Sequence, residues 1–201
     1  MKFCSVDIEC NQPSGRIIQI GASVWDTQAG GKQIAAFEVF VDPLEPINWE
    51  HPLKGGQTLG QLLPFDEAMH ARHKVDPWTA LTEFWRFICT CGGKKIIQWG
   101  AGDMAAIQRE SVETCVTFPY CSRILNAKVM YQMLYQPTQK LDSRFGLGAV
   151  VAELGFKFEG SAHNAYWDAY NTAVVYNEMF QDLEAFYKIK RALGIESRCS
   201  E

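Results

Sequence analysis

The sequence of 201 residues predicts an α/β fold in which helices cover a mixed sheet. Two observations support this fold class. Three strand-like segments follow one another closely at the N-terminus, and the rest of the chain alternates helical segments with two short apolar strands. No internal repeat, low-complexity stretch or linker interrupts the chain, so we predict a single domain over residues 1–201.

The first three strands are predicted from apolar runs that turn residues separate. Residues 2–9, 17–25 and 34–41 read as strands, and a glycine-rich turn at 27–31 lies between the second and the third. Such short connections favour an antiparallel meander. Two prolines within residues 42–46 then end the strand pattern.

The later part of the chain is predicted to be mainly helical. Leu81, Phe84, Trp85 and Ile88 recur at helical spacing, which is the clearest signal of this region. The predicted elements are, in order, irregular structure with short helices over 47–77, a helix over 78–88, a buried strand over 95–99, a helix over 103–115, a short strand or the start of a helix over 124–130, a helix over 143–154, and one long helix or two in succession over 165–192.

Composition excludes several classes of protein. With 47% hydrophobic and 21% charged residues, the chain can fill a core and is not a disordered protein. A net charge of -4 excludes a protein that coats nucleic acid through a large basic surface. No apolar run approaches the ~20 residues of a membrane-spanning helix, and the N-terminus lacks the pattern of a signal peptide. We therefore expect no membrane association.

The cysteines predict a reducing compartment. Their number is odd and none forms a CxxC pair, which argues against a disulfide framework. The seven are Cys4, Cys10, Cys89, Cys91, Cys115, Cys121 and Cys199. A zinc site formed by Cys89, Cys91, Cys115 and Cys121 would match no common ligand spacing. Reduced, mostly buried thiols are the better interpretation, and they indicate a cytoplasmic protein.

Two carboxylates stand out on the first strand. Asp7 and Glu9 are two residues apart, so both point to the same face of the sheet. The ordinary interpretation is a solvated strand face or a charged edge. The flanking residues are strongly apolar, however, and like charges on one face repel unless cations compensate them. Oxygen ligands at this spacing suit Mg²⁺ or Mn²⁺.

A third carboxylate, Asp103, follows the glycine-rich end of the strand predicted at 95–99. Asp is a favoured N-cap residue, so a capping role for Asp103 is the ordinary interpretation. The small residues that precede it leave its carboxylate open to approach, which suits either role.

His163 and Asp168 form a further candidate pair. His163 lies in a stretch rich in Gly, Ser, Ala and Asn before a helix, and Asp168 follows five residues later. A lone histidine is commonly structural. Ala165, Ala169 and Ala173 recur at intervals of four residues, which predicts a small-residue stripe that lets this helix pack close to its neighbour.

Together these residues resemble the DEDDh family of 3′-5′ exonucleases (DnaQ-like). The amino-acid sequence around His163 looks closest to the subgroup of Eri-type exoribonucleases. The family's DxE motif matches Asp7-Ile8-Glu9, its second acidic residue matches Asp103, and its HxxxxD motif matches His163 and Asp168. The resemblance implies a ribonuclease-H-like fold with a five-stranded mixed sheet, three antiparallel strands followed by two parallel ones.

The resemblance also implies a chemistry. Asp7, Glu9, Asp103 and Asp168 would hold two divalent ions, Mg²⁺ or Mn²⁺, about 4 Å apart. His163 would act as general base on the attacking water. The partner would be a nucleic acid, RNA or DNA, with a free single-stranded 3′ end, and the products would be nucleoside 5′-monophosphates. A chain with a net negative charge can still hold one 3′ end through bound metal ions. We expect a monomer or a homodimer.

Residues that grip the 3′ end are harder to identify. Asn11, Gln12, Phe145 and Trp167 lie near the motifs in sequence and are the candidates for substrate binding. Packing or a surface-loop position explains each of them equally well. Two other functions stay open: an endonuclease of ribonuclease H type, and a catalytically silent module on the same fold that binds nucleic acid or regulates another protein.

Overall fold

The computed structural model describes residues 1–91, 95–118, 123–137 and 145–192. Its strands are β1 (Lys2–Cys10), β2 (Ile17–Asp26), β3 (Lys32–Val41), β4 (Lys74–Val75), β5 (Lys95–Gln98) and β6 (Arg123–Asn126). Its helices are α1 (Leu59–Leu62), α2 (Glu67–His73), α3 (Pro77–Cys91), α4 (Asp103–Glu113), α5 (Ala127–Tyr135), α6 (Leu147–Glu153) and α7 (Ala165–Ala192).

The strands form one mixed sheet in the order β4-β3-β2-β1-β5-β6. β1, β2 and β3 are antiparallel neighbours, while β5 lies parallel to β1 and β6 parallel to β5. The predicted fold class and strand directions are therefore confirmed. The predicted count of five strands is too low by one, because β4 pairs in parallel with the end of β3. A strand of two residues is too short to leave a periodic pattern in the sequence.

The helices agree with the predictions in kind, and differ at their ends. Residues 47–77 contain two short helices, α1 and α2. Thr58 caps the first turn of α1, and Asp66 caps the first turn of α2. Both alternatives at 124–130 occur, because β6 leads directly into α5. α6 begins at Leu147, and residues 143–144 lie outside the described part of the chain. α7 is one continuous helix of 28 residues. None of the helices in the described ranges is long and apolar enough to cross a membrane.

The alternation of side chains along β1 divides the core into two layers. Cys4 and Val6 point to the face that α3 and α4 cover. Phe3 points to the other face and packs against α5, α6 and α7, with its ring 4.7 Å from that of Tyr176. Asp7 and Glu9 have the same parity as Phe3. They consequently lie on the face of the sheet that carries α7.

The N-terminus of α7 approaches the sheet at Gly21. A Cβ atom on Gly21 would lie 2.1 Å from the carbonyl carbon of Ala165, so only glycine fits there. Ala165, Ala169 and Ala173 are all fully buried in this contact face. The small-residue stripe thus allows the close approach that its spacing predicted. Because Gly21 pairs with Asp7 in the sheet register, the contact sets α7 directly beside the acidic residues of β1.

We expect Gly21→Ala to destabilise the protein by about 1–3 kcal/mol or more, because α7 must move away from β2 to admit the methyl group. Urea denaturation followed by circular dichroism measures this loss. Gly146→Ala is the matched control, since Gly146 has a negative φ and open space around its Cβ position. Equal stability of the two variants would contradict the close contact at Gly21.

Candidate active site

The central strand of the sheet positions the first two acidic residues. Asp7 and Glu9 lie on β1, between β2 and β5, and both side chains are half-buried. The sheet register is regular up to Glu9 and shifts between Glu9 and Cys10, where β1 ends. The two carboxylates therefore lie beneath α7 rather than on a solvated edge of the sheet.

Asp103 reaches the same region from the neighbouring strand. It is the first residue of α4, which begins five residues after the end of β5. Gly102 occupies the N-cap position with a φ of 136°, so the capping alternative for Asp103 is wrong. The buried side chain of Gln98 replaces it: its Oε1 accepts a hydrogen bond of 3.1 Å from the backbone N–H of Met104. The Asp103 carboxylate is thereby left available to the site.

The turn before α7 orients the remaining pair. His163 has a left-handed backbone with a φ of 61°, which is unusual for a residue with a side chain. Its backbone N–H donates to Asp168 Oδ2 at 3.0 Å. Asn164 stabilises the first turn of the helix by accepting from the N–H of Trp167 at 3.1 Å. This bonding holds the His163 ring and the Asp168 carboxylate on the same side of the helix end.

The tertiary structure brings the predicted residues together. Ligand atoms of Glu9, His163 and Asp168 all lie within 4.8 Å of one another. Asp7 is close enough to the other three carboxylates that each raises its pKa, in addition to the larger effect of burial. Residues from β1, α4, α7 and the turn before α7 thus form one cluster, which we call the acidic site (Asp7, Glu9, Asp103, Asp168 and His163).

Burial dominates the electrostatics of the acidic site. It raises the pKa of Asp103 and that of Asp168 to about 6, from an ordinary value of 3.8. Burial also raises the pKa of Glu9 well above its usual range, and the charges of Asp168 and Asp103 add to that effect. The pKa of His163 is lowered by burial, which favours the neutral imidazole near neutral pH.

The donor set fits hard divalent cations. Four clustered carboxylates repel one another, and a bound cation removes that repulsion. Cys10, next to Glu9, has its pKa raised to about 12 by burial and by the charges of Glu110, Glu9 and Asp103, so its thiol stays protonated. The site consequently offers carboxylate oxygens and an imidazole rather than thiolate, which favours Mg²⁺ or Mn²⁺ over softer metals.

Two of the predicted substrate-binding residues lie in the loop after β1. Asn11 is 2% exposed, and its amide donates to Glu45 Oε1 at 2.6 Å and to the carbonyl of Pro46 at 3.1 Å. Its Oδ1 accepts from the N–H of Asn48. Asn11 therefore joins this loop to residues 45–48. Gln12 is half-buried in the same loop. Substrate contact by either residue stays a prediction.

The other two predicted substrate-binding residues lie on the α7 face. Trp167 is half-buried in the first turn of α7, one residue before Asp168, and its ring packs against the rings of Tyr166 and Tyr170. Phe145 is half-buried against Tyr131 in the core layer beneath α5 and α6. Trp167 therefore precedes Asp168 along the chain with its ring in an aromatic group, and Phe145 has a packing role. Their contact with substrate stays a prediction.

Sequence reasoning missed two residues that shape the acidic site. Gln98 and Asn164 cap α4 and α7, respectively, and so aim the carboxylates of Asp103 and Asp168. Asn164 carried a detectable signal, because Asn is a preferred N-cap residue and a helical pattern follows it. Gln98 carried none, since its partner Met104 lies six residues away across a turn of irregular geometry.

No protein-family model and no curated protein matches this sequence. Solved structures do match it. The nuclease domain of 3′hExo, a DEDDh family member, bound to rAMP, has a TM-score of 0.69 at 17% identity, over 90% of this chain and 92% of that one. A 3′-exonuclease in 3′-end-specific recognition of a histone mRNA stem-loop has a TM-score of 0.68 at 17% identity, over 90% and 82%.

A more distant match is S. pombe Pop2p in its Mg²⁺- and Mn²⁺-bound form, with a TM-score of 0.56 at 16% identity, over 87% of this chain and 82% of that one. At such identities the likeness establishes the fold. The predicted ribonuclease-H-like fold is thereby confirmed.

We expect the metal-free protein to lose stability as the pH rises from about 4 to about 6. Asp103 and Asp168 have pKa values of about 6 in the folded chain, above the ordinary 3.8. Their ionisation therefore costs more free energy in the folded state than in the unfolded state. Asp103→Asn should reduce this loss by roughly 1–2 kcal/mol. Urea denaturation in EDTA across this pH range measures it.

The exposed carboxylate of Glu67 on α2 provides the control for this pH series. Glu67→Gln should leave the pH profile of the wild type unchanged. Addition of Mn²⁺ near neutral pH should raise the melting temperature of the wild type more than that of Asp103→Asn. A pH profile that is identical in the wild type and Asp103→Asn would contradict the raised pKa.

Proposed function

We propose that this chain is a 3′-5′ exonuclease of the DEDDh type, formed by one domain, that hydrolyses single-stranded nucleic acid from its 3′ end. The observation that carries the proposal is the convergence of five residues from β1, α4, α7 and the turn before α7. Four carboxylates come together at the start of α7, and the His163 ring lies beside two of them. The carboxylates are those of Asp7, Glu9, Asp103 and Asp168. They come together on a fold shared with solved 3′-exonucleases.

The four carboxylates would hold the metal ions. Their mutual repulsion and raised pKa values indicate a site that is incomplete without cations. The binding of Mg²⁺ and Mn²⁺ by Pop2p on the same fold supports this choice of metal. When bound, two such ions neutralise charge on the phosphodiester and favour ionisation of the attacking water.

His163 would act as the general base. Burial lowers the pKa of His163, so a ring nitrogen is free to accept a proton at neutral pH. In the proposed reaction, water attacks the terminal phosphorus atom and passes its proton to His163. The bond from phosphorus to the 3′ oxygen of the preceding nucleotide breaks, and that oxygen takes up a proton from the solvent. The products are a nucleoside 5′-monophosphate and a strand shortened by one residue, with a new 3′-hydroxyl.

The backbone around His163 supports this role. The left-handed conformation at position 163 and the bond from its N–H to Asp168 Oδ2 fix the start of the side chain, while the residue stays partly accessible to solvent. The ring can therefore reach a water at the site without movement of the backbone. Such prior positioning is a large part of the rate gained from a general base.

The relatives favour RNA as substrate. The 3′-exonuclease among the similar structures recognises the 3′ end of a histone mRNA stem-loop, and the nuclease domain of 3′hExo binds rAMP. Trp167 and Gln12 are the residues that we propose to contact the terminal nucleotide, since Trp167 precedes a carboxylate of the site and Gln12 lies three residues after Glu9. Stacking on an aromatic ring is typical of proteins that bind single-stranded ends.

The free thiols suit a reducing compartment. Cys10, Cys89, Cys91 and Cys115 carry no disulfide, and Cys89 and Cys115 are exposed. Exposed thiols persist where glutathione and thioredoxin keep them reduced. We therefore retain the cytoplasm as the proposed location.

We expect His163→Ala, Asp7→Ala and Asp168→Ala each to lower the rate of mononucleotide release by about 10²–10⁴-fold with the fold intact. Release from an end-labelled oligonucleotide in Mg²⁺ or Mn²⁺ measures the rate, and circular dichroism checks the fold. His73→Ala, at an exposed histidine of α2, is the matched control and should keep the wild-type rate. Wild-type activity in His163→Ala would contradict the proposed base.

The form of the substrate separates the proposed exonuclease from its alternatives. Linear oligonucleotides with a free 3′-hydroxyl should be shortened stepwise, whereas circular or 3′-blocked ones should stay intact. Cleavage of the circle would indicate an endonuclease, and binding without any hydrolysis would indicate a silent module. Matched RNA and DNA strands in the same assay should show faster hydrolysis of RNA.

A further inference from the structure

A buried amide joins the sheet to the N-terminus of α7. Gln19 on β2 is 0% exposed and lies opposite Glu9 in the register with β1. Its Oε1 accepts a hydrogen bond of 3.0 Å from the backbone N–H of Ala165, the first residue of α7. Its Nε2 donates to Glu38 Oε1 on β3 at 2.8 Å. One side chain thus connects two strands and the start of the helix.

A second bond closes this connection on the helix side. Asn164, the residue before α7, donates from Nδ2 to the same Glu38 Oε1 at 2.9 Å. We call these three residues the Gln19 network (Gln19, Glu38 and Asn164). The network holds the backbone at 164–165, which lies between His163 and Asp168. It does so from the sheet, the same element that carries Asp7 and Glu9.

The chemistry of the network requires an amide at position 19. The Ala165 N–H can only donate and the Glu38 carboxylate can only accept, so the side chain between them must accept at one end and donate at the other. Leucine of similar size would leave a buried N–H without a partner, which is unfavourable. Glutamate would face the carboxylate of Glu38 with like charge.

We propose that Gln19 is a positioning residue, which sets the distance of His163 and Asp168 from Asp7 and Glu9 without itself touching the substrate. This inference rests on the proposed function, because it assigns the network a role in that site. The close contact at Gly21 fixes how near α7 lies to β2, but backbone packing of this kind permits sliding and rotation. The directed bonds from Gln19 and Glu38 fix the remaining freedom of the helix end.

The first test is Gln19→Leu. We expect kcat to fall by about 10²-fold, as for a misplacement of about 1 Å, with KM nearly unchanged. The affinity for Mn²⁺, measured by calorimetry without substrate, should fall by about 10-fold, the size of effect typical of residues that orient metal ligands. Hydrogen exchange should become faster in peptides that contain Ala165 and stay unchanged in those from α3.

The matched control is Gln33→Leu. Gln33 lies on β3 and also contacts α7, but it bonds the side-chain hydroxyl of Tyr166 and Ser23 Oγ instead of the helix backbone. We expect this variant to keep the wild-type kcat, Mn²⁺ affinity and exchange at Ala165. Should Gln19→Leu fail to fold, Glu38→Ala tests the same network from an exposed position and should show the same losses to a smaller degree.

A charge-swapped pair provides the sharpest test. Gln19→Glu alone should reduce kcat, whereas Glu38→Gln alone should be nearly neutral because an amide oxygen can still accept both bonds. In the double variant, the carboxylate at position 19 accepts hydrogen bonds from the Ala165 N–H and from the amide NH₂ at position 38. The amide oxygen at position 38 accepts the bond from Asn164. Every donor then has a partner again, and kcat and Mn²⁺ affinity should return close to wild type.

The outcomes separate the two proposals. If Gln19→Leu and Gln19→Glu keep the wild-type kcat and Mn²⁺ affinity, or if Glu38→Gln does not rescue Gln19→Glu, the positioning role is wrong while the exonuclease stands. If the wild type binds Mn²⁺ but releases no nucleotides, the proposed function is wrong. The Mn²⁺ affinities and the exchange at Ala165 then still decide whether Gln19 positions the helix end.

Discussion

The acidic site depends on one close contact, the backbone of Ala165 against Gly21. No side chain separates the N-terminus of α7 from β2 at this point. The sheet register places Gly21 beside Asp7, so the helix end that carries His163 and Asp168 can only arrive next to the carboxylates of β1. A larger residue on β2 or on the alanine stripe of α7 would increase this separation, and with it the distances of His163 and Asp168 from the carboxylates of β1.

Electrostatics act against this arrangement. Burial and mutual repulsion raise the pKa of Asp7 and Glu9 well above the ordinary range, which means that the ionised cluster destabilises the metal-free fold. The surrounding structure must therefore supply the stability that the site removes. The two core layers on either side of β1 do so through apolar burial, and the Gln19 network adds hydrogen bonds at the helix end. Such a balance is common where function requires clustered charge.

Much of the fold follows from patterns that sequence alone displays. The three antiparallel strands, the helix at 78–88 and the long C-terminal helix all have apolar periodicity over many residues, and these predictions are confirmed. β4 was not predicted, since two residues have no period. The start of α6 at Leu147 and the joined strand and helix at 123–135 depend on neighbours distant in sequence, which local patterns do not report.

The sequence by itself determined which residue types are available and in what order: two acids on one strand face, a third after a glycine-rich turn, and a histidine five residues before a fourth. Only the tertiary structure decided their distances, because β1, α4 and α7 are brought together by long-range packing. It also decided that Asn11 bonds residues 45–48 and that Gln19 bonds the start of α7. A single polar residue in an apolar strand looks the same in sequence whatever partner it meets, since its hydrogen bonds are directed in space and not along the chain.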